Sequence, residues 1–262
     1  MVYTCYEMIR DCRADLPEGW SHFLTQYVPA IRRLVAHYAP ESTGDAALVE
    51  RILLALRLPA SSLFQSMEPA PERWFIAELR QKVLAELAAP APEISIDLET
   101  VGVALEPLTV TEKQAAWLEA MRYPPVQAGA MLRVSAATVE KIRARAAELI
   151  RGKVDAWRRT LLEENGLQLG RAAAANGGKE CLPAKAFLDI LDGRTTWMAR
   201  EQMERHVIAC WHCVDHFCRM TEVIEVMRGI RPLEESEAAP LRRALGLAVP
   251  RRPGWKRLFG GA

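Results

Sequence analysis

The residues of this chain whose types and spacing can do chemistry gather in its last third: Cys181, then 24 residues, then His206-x3-Cys210-x2-Cys213. Two cysteines separated by two residues let both thiolates reach one ion from a single turn. A histidine four residues earlier sits one helical turn up on the same side. A fourth donor has to come from elsewhere, and Cys181 is the candidate. Three thiolates and an imidazole make the closed tetrahedral set of a structural Zn2+ site, and with no position left for water a catalytic metal is not expected. His212, His216 and Cys218 lie near enough in sequence to stand in for a ligand. Two further alternatives stay open. The cysteines could be free core residues, which are common, and a bound metal could be purely structural or could respond to thiol oxidation.

Cys181 has to be carried back to the other three. It heads a segment with Phe187, Leu188 and Leu191 apolar, which turns at Asp192-Gly193 into a second helix beginning near Thr195 or Thr196, whose end delivers His206. A two-helix hairpin brings its start beside its finish. The string from Cys181 through Leu188, Leu191, Asp192 and Gly193 to Arg205, His206, Cys210 and Cys213 resembles the zinc-containing anti-sigma factors of bacteria, over about forty residues. The resemblance implies a four-helix zinc module that clamps a sigma factor. In some members thiol oxidation expels the metal and releases the partner.

A second constellation precedes it. Apolar Ala115, Trp117, Leu118 and Met121 are followed by a break at Pro124-Pro125, a short helix ending Met131-Leu132, a turn at Arg133-Val134-Ser135 and a long helix from Ala136. Ser135 is a good N-cap, and Val139, Ile142, Ala146, Leu149 and Ile150 give that helix one apolar face. Lys141, Arg143 and Arg145 lie near its N-terminal half, with Arg151, Lys153, Arg158 and Arg159 beyond. A recognition helix puts its first turns in the major groove while basic side chains neutralise phosphates, so Ser135, Thr138, Lys141, Arg143 and Arg145 are the DNA-contact candidates. The bland alternative is a helical bundle with a solvated basic face. Residues 108–150, and Leu132 to Arg145 above all, resemble region 4 of extracytoplasmic-function sigma factors. Pro124-Pro125 and Ala128-Gly129 depart from the family, so promoter specificity is not carried over.

The N-terminal stretch reads as two amphipathic helices, the second with a stripe from Trp20 through Phe23, Leu24, Tyr27, Ile31, Leu34 and Val35 to Tyr38. It looks like the opening of sigma region 2, and Asp45-Ala46-Ala47-Leu48-Val49-Glu50 is similar to the segment with which that family binds RNA polymerase. Ala47 and the run Ile52-Leu53-Leu54 replace polar positions there, and residues 57–87 lack the recognisable promoter-melting set. A degenerate region 2, with the stripe as core, is therefore expected.

Net charge of +1 hides an uneven distribution, −6 over residues 1–132 and +5 over 133–159. The end carries Arg242, Arg243, Arg251, Arg252, Lys256 and Arg257 around Trp255, Leu258 and Phe259. A solvated tail is expected, with contact to an anionic membrane or nucleic acid as the alternative and Pro250 and Pro253 opposing a long helix. No run approaches the roughly 20 apolar residues of a membrane span, and the N-terminus lacks the layout of a secretory signal, so a cytoplasmic protein with no transmembrane segment is expected. Six scattered cysteines in a reducing compartment favour metal ligation over disulfides.

The fold class expected is all-α, only 94–98 hinting at strand-like alternation. The units are a sigma region 2-like domain at 1–87, a linker at 88–107, a sigma region 4-like helix-turn-helix at 108–163, a flexible linker at 164–178, a zinc-binding anti-sigma-like module at 179–230 and a basic tail at 231–262. The expected function is a bacterial transcription regulator controlled in cis by its zinc module, with RNA polymerase core or another sigma factor as partner and promoter DNA as a possible ligand. The competitor is a protein-interaction adaptor that has lost DNA binding. No enzyme and no small-molecule substrate are expected: there is no nucleophile–base pair, phosphate loop or open metal site.

Overall fold

The computed structural model describes residues 3–58, 62–65, 71–87, 103, 105–153 and 166–247. The protein is all-α, with no strand among the described residues. The helices are α1 Cys5–Arg13, α2 Pro17–Tyr38, α3 Ala46–Arg57, α4 Ser62–Gln65, α5 Glu72–Leu87, α6 Val110–Ala120, α7 Pro125–Leu132, α8 Ala136–Lys153, α9 Gly166–Ala175, α10 Ala184–Leu191, α11 Trp197–Val207, α12 Trp211–Met227 and α13 Glu235–Ala244. None of these is long and apolar enough to cross a membrane. The stretch 94–98, most of the 88–107 linker, Arg158, Arg159 and the tail from 248 onward lie outside the described residues.

Starts of helices follow local chemistry. Thr4 and Glu7 form a reciprocal capping box on α1, Thr109 and Glu112 do so on α6, and the Asp45 carboxylate accepts from the N–H groups of Ala47 and Leu48 on α3. Each satisfies backbone donors that a helix start otherwise leaves free.

The chain forms two compact units. One comprises Met1–Pro29, Asp45–Pro69 and Arg231–Ala262; the other comprises Ala30–Gly44 and Ala70–Ile230. In the first, Trp20, Phe23 and Phe64 pack edge to face with ring centroids 5.0–5.7 Å apart. α1 crosses α2 at Gly19, where a Cβ would stand 2.7 Å from the backbone nitrogen of Cys12. Pro29, inside α2, has no N–H for the carbonyl four residues back. That carbonyl, of Thr25, accepts instead from the N–H of Leu233 at 2.9 Å and so ties in the segment leading to α13. Arg242, read from sequence as part of a solvated tail, is 2 % exposed and paired with Glu235, because α13 turns it inward.

In the second unit α12 is the central element and packs against α5, α6, α7, α9, α10 and α11. Eleven of its seventeen residues are buried, which is why it attracts neighbours on nearly every side. The segments 108–163, described as far as residue 153, and 179–230, read as separate domains, thus fall in one unit. Residues 164–178, read as a flexible linker, hold α9; Ala173 is fully buried and Gly170 lies close to Met121, so small side chains let this helix approach. Arg33 donates to the carbonyls of Glu225 and Val226 at 3.2 and 3.1 Å, capping the end of α12.

The core of this unit also holds charge. Arg80 donates to Glu222 at 2.8 Å and to the Tyr38 hydroxyl at 3.0 Å, and lies 3.5 Å from Asp215. Tyr38 and Tyr123 both donate to Glu222 Oε1, Trp117 Nε1 donates to Asp215 at 3.0 Å, and Arg219 lies 3.0 Å from Asp215. Burial holds both tyrosines far above the usual phenol range, so they remain donors. A buried charge is tolerated only when so paired.

Candidate metal centre

The hairpin that carries Cys181 forms as expected. α10 ends at Leu191 with Asp192 as its C-cap, and Gly193 adopts φ +69°, a left-handed position that favours glycine after a helix. Thr196 then caps α11, its hydroxyl accepting from Ala199 N at 3.3 Å. One detail differs from the spacing argument. His206 and Cys210 do not share a continuous helix: α11 stops at Val207, the chain turns, and Cys210 is the extended N-cap residue of α12. That turn, with the first turn of α12, brings the donors together at a helix N-terminus, whose partial positive charge suits thiolates.

The ligand atoms of Cys181, His206, Cys210 and Cys213 all lie within 4.8 Å of one another, and Cys181 Sγ is 3.7 Å from Cys210 Sγ. The N–H of Gly178 donates to Cys181 Sγ at 3.3 Å, and that of Leu182 to Cys213 Sγ at 3.5 Å. Nε2 of His206 is buried without a hydrogen-bond partner. An orphaned ring nitrogen among three thiols is what a bound metal ion satisfies, so the residues fit one. Burial pushes the Cys210 thiol up and that of Cys213 up to about 12. Metal binding therefore has to displace protons.

The substitutes considered from sequence stand apart. His212 Nδ1 lies 3.1 Å from the carbonyl of Ala173, His216 is buried against Phe187 at 4.8 Å, and the Cys218 thiol sits 3.9 Å from the Gln114 carbonyl. Residues around the cluster that sequence reasoning missed come from α6. Lys113 donates to the carbonyl of Ile208, and Trp117 stacks on Trp211 at 5.0 Å. A lysine in the first turn of a helix reads as solvated, so nothing in the sequence marked Lys113.

Between α7 and α8 the chain makes a tight turn. Arg133 takes φ 59° at the turn, and Gly129 packs so closely that a Cβ would stand 2.7 Å from the Val134 carbonyl oxygen. Ser135 Oγ accepts from Thr138 N at 3.1 Å, and Val139, Ile142 and Ala146 face inward. Ser135, Thr138 and Lys141 are exposed. Arg143 is turned in, donating to the Tyr123 carbonyl at 2.6 Å, whereas Arg145 pairs with Glu112 at 2.8 Å while staying half exposed.

Fold and cluster together define an all-helical protein with a Cys3His group able to hold a metal ion. Comparison of the chain with models of known families, with curated proteins and with solved structures gives no match.

Proposed function

We propose that the protein is a transcription regulator in which a sigma-like pair of helical segments is controlled in cis by a zinc-binding, anti-sigma-like module. The observation that carries this is the convergence of Cys181, His206, Cys210 and Cys213 within 4.8 Å, from a hairpin and knuckle in the order that the anti-sigma resemblance implies. Zn2+ at this group supplies a cross-link between α10, α11 and α12 rather than a reactive centre, since four protein donors complete its shell. The chain's own residues do the rest. The N–H groups of Gly178 and Leu182 hold two sulfurs, and α12 carries the knuckle into the core beside α6 and α7. The proposed partners are RNA polymerase core or another sigma factor, with promoter DNA met by α8.

A second reading is favoured by Arg143 and Arg145. Both make internal bonds, which lowers the positive charge free to meet phosphate and suits an adaptor that binds another regulator without DNA. Full-length protein decides between them. The regulator binds promoter DNA with an affinity that falls as salt rises and is retained by core polymerase; the adaptor shows neither, even at low salt. Metal content by mass spectrometry tests the zinc assignment on its own.

A further inference from the structure

α6 touches the metal loop at two places one helical turn apart. Lys113, a residue only 3 % exposed, donates through its ammonium to the carbonyl of Ile208, which lies midway between His206 and Cys210. Four residues along, Trp117 stacks on Trp211, the residue after Cys210, with rings inclined by 26°. The indole N–H of Trp117 continues to Asp215, two residues beyond ligand Cys213. Trp211 also packs against the small core of Leu105, Leu108 and Ala146, the last on the inner face of α8. Two helices of the helix-turn-helix segment thus rest on the residues strung between the ligands.

That support is weakly held by its own backbone. Between α11 and α12 the turn is closed by Ile208 N to Glu204 O at 3.0 Å, Ala209 N to His206 O at 3.1 Å and Cys210 N to Val207 O at 3.2 Å, and Ile208 and Ala209 are exposed. Short, exposed segments with few bonds open readily unless something else fixes them. If the carbonyl of Ile208 moves, the Lys113 ammonium, on a side chain largely withdrawn from water, loses its acceptor, which is costly.

The geometry points to the metal loop as the footing of the helix-turn-helix: metal occupancy sets the order of α6, and through α6 that of α7 and α8. The inference rests on the reading of the four donors as a metal site. It assigns Lys113 and Trp117 as positioning residues that couple that site to α7 and α8, and loss of the metal to a chelator acts through them.

Hydrogen exchange on the full chain, loaded with Zn2+ under a thiol reductant and then stripped by a chelator, tests this. Stripping is expected to speed exchange across 110–120 about tenfold or more, together with 206–213, while α3 is unchanged and added Zn2+ reverses the effect. Lys113→Met is expected to give the same gain in 110–120 with the metal still bound and 206–213 still protected. Retained protection of 110–120 when 206–213 loosens overturns the coupling and leaves the metal site standing, as does an unaltered α6 in Lys113→Met. A reduced chain that takes up no metal overturns both.

Discussion

Arg80 and Glu222 meet at 2.8 Å with side chains 2 % and 1 % exposed, joining α5 to α12 inside the core. Glu222 also receives the hydroxyls of Tyr38 and Tyr123, so one carboxylate on α12 gathers residues from three other parts of the second unit. Removing one member of such a set strands the others. Arg80→Met is expected to cost about 3–5 kcal/mol, because the buried Glu222 loses its cation, while Asp215 still has Arg219 at 3.0 Å. Arg80→Met with Glu222→Gln should cost less than the sum of the single changes, by 1 kcal/mol or more as for directly coupled groups, roughly. Urea unfolding of the four proteins completes the cycle, and strict additivity would show that the pair is not coupled.

Gly129 and Gly152 make opposite predictions from the same substitution. Alanine at 129 meets the Val134 carbonyl oxygen at 2.7 Å, a backbone atom that cannot step aside without opening the turn between α7 and α8. Alanine at 152 meets nothing within 4 Å, near the exposed end of α8. Gly129→Ala is expected to destabilise by about 1–2 kcal/mol despite its better helix propensity, whereas Gly152→Ala stabilises by up to about 1 kcal/mol. Thermal melting of both variants reads the two signs.

Much of this was open to reading from sequence where the signal is local. Caps, glycine turns and the three- and four-residue rhythm of apolar side chains located α2, α7, α8, α10 and α11, and the spacing of His206, Cys210 and Cys213 marked three of the four residues that come together as a group able to hold a metal ion. Long-range pairing left no such trace. Nothing in a single sequence says that Arg80 on α5 will meet Asp215 and Glu222 on α12, or that α12 will be covered on its charged side too. The same blindness applies to Lys113, and to α9, whose alanines and glycines look like a connector until α12 is there to pack against. Arg143 reads as a phosphate contact by position alone, and only the nearby Tyr123 carbonyl turns it inward.

His37 gives the fold a pH dependence. Its Nε2 donates to the Met121 carbonyl at 2.9 Å, and its ring stacks on Tyr123 at 4.0 Å. Burial is the largest influence and lowers its pKa, with Arg80 and Arg122 acting in the same direction and Glu222 and the Met121 bond opposing. The folded chain thus resists a proton that the unfolded chain accepts near the ordinary value of about 6.5. The contribution is complete above that value and is lost as pH falls toward the lowered folded pKa. Stability should decline from pH 7 to pH 5. His37→Gln, which can still donate to Met121, should flatten that decline in part, since the buried His216 ring, held at about 2, acts in the same sense. An identical decline in the variant would remove His37 as a source.

Lys141 and Arg143 separate charge that faces solvent from charge that the fold has used. Lys141 is exposed on the first half of α8, whereas Arg143 is 12 % exposed and spends a donor on the Tyr123 carbonyl. If α8 meets DNA, Lys141→Ala should lower the slope of log affinity against log salt by about 0.9 per lost phosphate contact, with no change in melting. Arg143→Ala should leave the slope alone and cost about 1–2 kcal/mol of stability, because a buried carbonyl loses its donor. Arg145→Ala breaks an exposed pair with Glu112 and should cost under about 1 kcal/mol; its effect on the slope reports whether that side chain leaves Glu112 for phosphate. Salt titrations on the full chain distinguish these outcomes. A wild-type protein that binds no DNA at low salt would assign α8 to the adaptor reading, with Lys141 as part of a surface that meets protein instead.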